Sequence, residues 1–364
     1  MAQLRTIRQW IRNRLLQLPG GLGERVVVPG IQRVYERFPF QNWRAKRYAA
    51  SEGRRVLSEL ASGKNQCTIV YGGTSYGSLI LTLCIARFMI AKGCMTHLVL
   101  MGGMGTHLSA TATEDFYRDS QLISARLLRQ ESSLISRAMP DQLEEVCATG
   151  ESSFLLFDDY TRAGRSWGIS TLNLLNWLMA KSSRELQDEI LYTYADFSDS
   201  MPQIGEGKFV SWHCRYRAVN DDRQTNTEEF LKSYSFLRSR FQDHEIVVIS
   251  DEVGCKHYAE LAKSLDINDV RFCKDYSTDF MGDIALIMKS EFFYVFRGGG
   301  IVCAPMCSAK PYLCIMEDLT EAMSWSRKQH TAWQREAQEY FKIQRDQHVK
   351  DRHQDLLMIS SNNI

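Results

Sequence analysis

From residue 209 onward, apolar runs too short to be helices alternate with stretches of helical periodicity. FVSWH, EIVVIS, VRFCK and FFYVF are separated by single helices near 228–241, 256–265 and 279–289, and PYLCIM follows the last of them. Runs this uniformly rich in Val, Ile and Phe have no wet face, so they belong in a sheet covered on both sides by helices, the setting of parallel strands joined by right-handed crossovers. The first half repeats the theme. QCTIVY at 66–71 predicts a buried strand, Gly72-Gly73-Thr74-Ser75-Tyr76-Gly77 a turn, and the apolar residues to Lys92 a helix; 97–101, 154–157 and 190–194 predict further strands. The expected class is α/β, with two Rossmann-like parallel domains facing each other across a cleft.

The stretch SDSMPQIGEGK at 198–208 loses periodicity and gathers Ser, Pro and Gly, which marks a linker. The expected division is 1–205 for an acceptor-side α/β domain with a basic arm, 206–335 for a ligand-binding α/β domain, and 336–364 for a helical tail. A chain of 364 residues with 44% hydrophobic and 24% charged residues can fill one large core or two ordinary ones, and is neither disordered nor collagen-like. The longest apolar stretch, 79–91, is interrupted by Arg87 and falls well short of the roughly 20 residues a membrane-spanning helix needs. The N-terminus lacks the apolar core of a secretory signal, so a cytoplasmic location is expected. Ten Cys without a CxxC pair read as buried thiols, and eight His without ligand spacing predict no metal site.

Charge is distributed unevenly. Residues 1–60 carry twelve Lys and Arg against four Asp and Glu, although the whole chain is near neutral. Leu4, Ile7, Ile11, Leu15 and Leu18 recur at helical spacing with Arg5, Arg8 and Arg12 beside them, a pattern that suits an anionic membrane surface or simple packing on the chain's own domain. No nucleic-acid partner is expected.

Parallel sheets bind ligands at the carboxyl ends of their strands, so polar residues just past each strand carry the most weight. In the second half these are His213 and Arg215, then Ser250, Asp251 and Glu252, then Arg297, Gly298, Gly299 and Gly300. An arginine offers a fixed cationic fork to a phosphate, and a glycine run lets main-chain N–H groups approach an anion. Asp251 and Glu252 can accept hydrogen bonds from a nucleobase or ribose. Each alone has a plainer use as a surface ion-pair partner, a helix cap or a tight turn; together at the ends of strands of one sheet they describe a diphosphate site.

His213-Cys214-Arg215 followed by Ser250-Asp251-Glu252 resembles the H-x-R and S/T-D-D/E pattern of GT-B fucosyltransferases, the group of nodulation, core α1,6- and protein O-fucosyltransferases. The resemblance covers about the second half of the chain. It implies a GT-B fold in which Arg215 holds the β-phosphate of a guanine nucleotide sugar, His213 lines the nucleotide pocket and Asp251 contacts the base. Two departures stand out: Tyr216 precedes Arg217 where the family has Arg or His after its motif arginine, and Arg297-Gly298-Gly299-Gly300 stands where it has Ser or Thr hydroxyls.

The first domain would then supply the acceptor site and the base. Gly72, Gly73 and Thr74 are candidate cleft residues, and Asp158, Asp159 and His107 are candidate bases, of which only one of the adjacent aspartates can face the cleft from a strand end. The expected activity is metal-independent and inverting transfer of a sugar, fucose by the resemblance, from a nucleoside-diphosphate donor to a glycan or glycolipid, with no cofactor. The alternatives are a nucleotide-sugar epimerase or hydrolase of the same fold, and a carbohydrate- or nucleotide-binding protein that turns nothing over.

Overall fold

The structure is a computed structural model and describes residues 40–73, 75–101, 110–128, 130–139, 142, 145, 151–157, 169–205, 207–216, 224–276, 278–296 and 300–315. The basic stripe of 1–20 and the tail of 336–364 lie outside the described residues. The described residues from Ala49 on form one compact unit that contains two parallel sheets.

The first sheet begins after helix α1 (Phe40–Ala61). Strand β1 (Gln66–Tyr71) leads into α2 (Tyr76–Ala91), then β2 (Met95–Met101), α3 (Ala110–Leu127), β3 (Ser133–Ala138) and β4 (Ser153–Phe157). The strand order is β3-β2-β1-β4, with every pairing parallel. Helix α2 is apolar on all sides and is accordingly buried on all sides, from Gly77 to Ala86 and again at Phe88 and Met89. A helix of that kind belongs between layers and not on a surface.

Helices α4 (Ile169–Ala180) and α5 (Arg184–Ile190) and two short 3-10 turns then lead to residues 201–208, which carry no helix or strand among those described. The second sheet contains β5 (Phe209–His213), β6 (Glu245–Ile249), β7 (Val270–Phe272), β8 (Phe293–Phe296) and β9 (Tyr312–Ile315), in the order β7-β6-β5-β8-β9 and parallel throughout. Its helices are α6 (Thr227–Arg240), α7 (Glu252–Ser264), α8 (Phe280–Lys289) and the single turn α9 (Cys303–Met306). Asn226, Asp251 and Asp279 cap the first three through their side-chain oxygens, each accepting from the amide three residues on.

Both sheets are thus α/β and reverse direction once, at β1/β4 and at β5/β8. The carboxyl ends flanking such a reversal open a crevice, because the crossovers leave toward opposite faces there.

Two sequence expectations are corrected. The run 190–194 is not a strand: Ile190 ends α5, the Leu191 amide donates to the Gln187 carbonyl, and Tyr192 makes only an isolated bridge to Ser308. Its burial comes from packing, with the Tyr192 hydroxyl donating to the Ile80 carbonyl of α2 at 2.9 Å, and an apolar run reads the same either way. Conversely, SLISRA at 133–138 forms edge strand β3. An edge strand needs no continuous apolar run, and Leu134 and Arg137 are exposed. The buried-thiol expectation is met by Cys67, Cys84, Cys94, Cys214, Cys255, Cys273, Cys303 and Cys307, all buried and unpaired by disulfides. Among the described residues no helix is long and apolar enough to cross a membrane.

Candidate functional site

The turn after β1 is built by the last residue of that strand. The Tyr71 hydroxyl donates to the Ser75 carbonyl at 2.7 Å, receives the Ser75 amide at 3.3 Å and meets Ser78 Oγ at 2.9 Å, so one buried ring closes the loop onto the start of α2. Gly72 and Gly73 inside it are buried; Thr74 lies outside the described residues. The loop meets its counterpart from the other sheet. A Cβ on Gly77 would lie 2.4 Å from Gly300 Cα and 2.8 Å from its carbonyl oxygen, main chain against main chain. Beside this contact the Tyr76 ring stacks on Phe280 of α8, centroids 4.5 Å apart, and its hydroxyl donates to Asp119 at 2.8 Å. The first turn of α2 and Gly300, beyond β8, therefore touch, and the core runs continuously through both sheets.

Because main chain cannot step aside as a flexible side chain can, Gly77→Ala is expected to cost about 1–3 kcal/mol by overpacking. Urea unfolding of the variant beside Gly300→Ala checks this; a midpoint equal to wild type would show that the two loops separate freely.

At the end of β5, His213 lies half-buried with Nδ1 2.9 Å from the Ile249 carbonyl. A carbonyl only accepts, so Nδ1 carries the proton and Nε2 keeps its lone pair. Burial, reinforced by the Arg215 cation, lowers the imidazole from 6.5 to about 4, against the opposing effects of the carbonyl bond and Asp251. The ring is neutral at pH 7, a hydrogen-bond acceptor and not a cation. Unfolding lets it take up a proton between pH about 6.5 and about 4 that the folded state refuses, so the unfolded chain binds more protons there and stability rises with pH across that window. The slope attributable to one such group is at most about 1.4 kcal/mol per pH unit. His213→Asn, which keeps a donor near the Nδ1 position, should lose less stability than wild type between pH 7 and pH 4.5 in urea titrations; equal losses would assign the effect to other groups.

Arg215 follows two residues later, its main chain fastened on both sides. Its amide donates to Thr225 Oγ1 at 3.2 Å, and its carbonyl accepts from the Thr225 amide at 2.9 Å and the Tyr258 hydroxyl at 2.6 Å. Tyr258 is buried and stacks on Phe230, while the neighbouring Tyr216 ring stacks on His257 at 4.3 Å. Nothing in the sequence singles out Thr225 or Tyr258: a lone Thr before a helix and a lone Tyr within one carry no motif.

The Ser250-Asp251-Glu252 segment joins the site through its backbone turn. Ser250 is buried and donates from Oγ to the Cys214 carbonyl at 2.7 Å, tying the ends of β5 and β6 together. A Cβ on Gly254 would lie 2.1 Å from that Oγ, so a larger residue there would push the Ser250 hydroxyl off the Cys214 carbonyl. Asp251 is exposed and caps α7 through the Gly254 amide at 2.7 Å; Glu252 is exposed and pairs with Lys256 at 2.8 Å, one turn on. The structure thus brings His213, Arg215, Ser250 and Asp251 to one sheet end, and Gly300 to the glycine loop of the other sheet. His107, Asp158, Asp159, Arg217, Arg297, Gly298 and Gly299 lie outside the described residues. Among those described, no group of His, Cys, Asp and Glu is arranged to hold a metal ion.

No family model matches the chain, and no curated protein matches it. Among solved structures, it is similar to E. coli heptosyltransferase WaaC with ADP-2-deoxy-2-fluoro heptose, at 11% identity and TM-score 0.39 over 71% of this chain and 91% of that one. The same enzyme with ADP gives 10% identity and TM-score 0.41, covering 70% and 88%. The iron-containing dodecameric glycosyltransferase TibC from enterotoxigenic E. coli H10407 gives 10% and 0.34, covering 68% and 57%. Superposition this loose assigns no activity, and the α/β class rests on the two parallel sheets themselves.

Proposed function

We propose that this chain is a glycosyltransferase of GT-B architecture that moves a sugar from a nucleoside-diphosphate donor to a glycan or glycolipid acceptor. The observation that carries this reading is the clustering, at the adjoining carboxyl ends of β5 and β6, of a neutral imidazole acceptor, an arginine with a fastened main chain and a capped helix start, in a sheet whose glycine after β8 meets the other sheet. A cation held in place where a diphosphate departs lowers the barrier because it meets charge that develops in the transition state. Arg215 takes that role, with Arg297 next along the chain after β8 as its candidate partner. His213, with Nε2 unprotonated, suits a donor N–H or O–H of the nucleotide. The base that deprotonates the acceptor is proposed among Asp158, Asp159 and His107, and fucose from GDP-fucose, with inversion and without a metal, is the first donor chemistry to try.

Thermal stabilisation by GDP, UDP, ADP and CMP, with and without magnesium, tests the reading, since binding to the native state alone raises the melting temperature. Selective, metal-independent stabilisation by GDP supports it in full. Selectivity for UDP or ADP keeps the transferase and removes fucose; no response to any nucleoside diphosphate overturns it. Product analysis without an acceptor separates transfer from epimerisation, which needs none. The basic stripe of 1–20 is proposed to bring the protein to anionic lipid, and unchanged sedimentation with phosphatidylglycerol vesicles after its deletion would remove that idea.

A further inference from the structure

Directly behind the Ser250–Asp251 turn lie two thiols in contact. Cys255, in the first turn of α7, and Cys273, just after β7, have their Sγ atoms 3.7 Å apart, and both point at the same acceptor, the Ser250 carbonyl, at 3.5 and 3.3 Å. Both are buried, and nothing in the transfer chemistry uses them. The pair is chemically asymmetric. The two sulfurs share a contact in which either can donate, the main chain of Lys274 also donates to the Cys255 sulfur, and the Lys274 ammonium lies nearby, held to Asp283 at 2.8 Å. Against the opposing effects of burial and of the Asp283 carboxylate, these lower the Cys255 thiol from its ordinary value, while Cys273 is raised by the same contact. A thiolate is the nucleophilic form of cysteine, and a thiol favoured as thiolate by hydrogen-bond donors, with a second thiol in contact, is the arrangement in which one cysteine attacks and the other resolves.

We propose that Cys255 and Cys273 form a dithiol that hydrogen peroxide oxidises reversibly to a disulfide. The Cys255 thiolate attacks the O–O bond, forming Cys255–SOH and releasing hydroxide. The Cys273 thiol then attacks the Cys255 sulfur, forming the S–S bond, and the departing hydroxyl leaves as water with the Cys273 proton. Hydroxide takes up the proton that Cys255 gave to solvent, so two thiols and one peroxide give one disulfide and two waters, with two electrons passing to the peroxide. Bonding draws the sulfurs from 3.7 Å to about 2.05 Å and removes both S–H donors from the Ser250 carbonyl. The switch therefore sits under the turn that starts α7, and the chemistry does not depend on the transferase reading.

The test uses the full native chain. After brief treatment with hydrogen peroxide, the protein is unfolded in N-ethylmaleimide, digested with trypsin without reduction and mapped by mass spectrometry. Cleavage at Arg240, Lys256, Arg271 and Lys274 separates the two cysteines into peptides 241–256 and 272–274, each with a single Cys. The expected dominant product is these two peptides joined, two hydrogens lighter than their sum and separated by dithiothreitol, with Cys84, Cys303 and Cys307 still alkylated. In Cys273→Ser the resolving thiol is gone, and Cys255 should be captured by dimedone as a sulfenic acid. Recovery of both peptides alkylated, oxidation spread evenly over all the cysteines, Cys255 joined chiefly to Cys214, or no dimedone adduct in the variant would each overturn the proposal.

Discussion

An Arg215→Ala protein is expected to keep its fold and lose nucleoside-diphosphate binding, with sugar transfer falling by at least about 10²–10³-fold. Folding should survive because the bonds that fasten this segment, to Thr225 and Tyr258, all involve the main chain of residue 215, which alanine retains. What alanine removes is the guanidinium, and with it a charge-assisted fork to the leaving diphosphate. The measurement pairs two readouts: the melting temperature without ligand, expected near wild type, and its rise with nucleoside diphosphate, expected to vanish. Full ligand stabilisation and wild-type turnover in this variant would remove Arg215 from the site. Arg215→Lys should recover only part of either, since an ammonium is a point charge without the planar fork.

Asp283→Ala should be the most destabilising single change in the second sheet's surroundings, by about 3 kcal/mol. Lys274 Nζ lies 2.8 and 3.0 Å from the two carboxylate oxygens, and Thr278 Oγ1 also donates to Asp283. The carboxylate is buried and Lys274 mostly so. Deleting the acid leaves an ammonium whose remaining hydrogen-bond partners among the described residues are the Thr278 oxygens, and an uncompensated charge in such a place costs far more than the pair itself contributes. Calorimetry should show a melting temperature lower by about 5 °C. The double replacement Lys274→Met with Asp283→Leu should regain most of that loss; if it is as unstable as the single variant, packing and not charge governs the site.

The strands of the second sheet were legible because burial on both faces demands continuous apolar runs, and FVSWH, EIVVI and FYVF have no other comfortable setting. Helix α2 was legible for the same reason. Edge strand β3 was not, since an edge needs no such run, and the buried run at 190–194 misled because packing against α2 conceals apolar side chains as well as a sheet does. Within the site, strand-end position singled out His213, Arg215, Ser250 and Asp251. Their jobs were another matter: Ser250 and Asp251 each turned out to hold the turn, by binding Cys214 and by capping α7.

By itself, then, the sequence determined the α/β class and which residues stand at strand ends, because hydrophobic periodicity and turn chemistry are local properties of the chain. Only the tertiary structure decided that the strands reverse order at β1/β4 and β5/β8, that Gly77 meets Gly300, that Tyr258 fastens Arg215 and that Cys255 touches Cys273. Each of these joins residues 18 to 223 positions apart, or orders strands whose pairing no run of neighbours encodes. Such contacts are selected by the packing of the whole core.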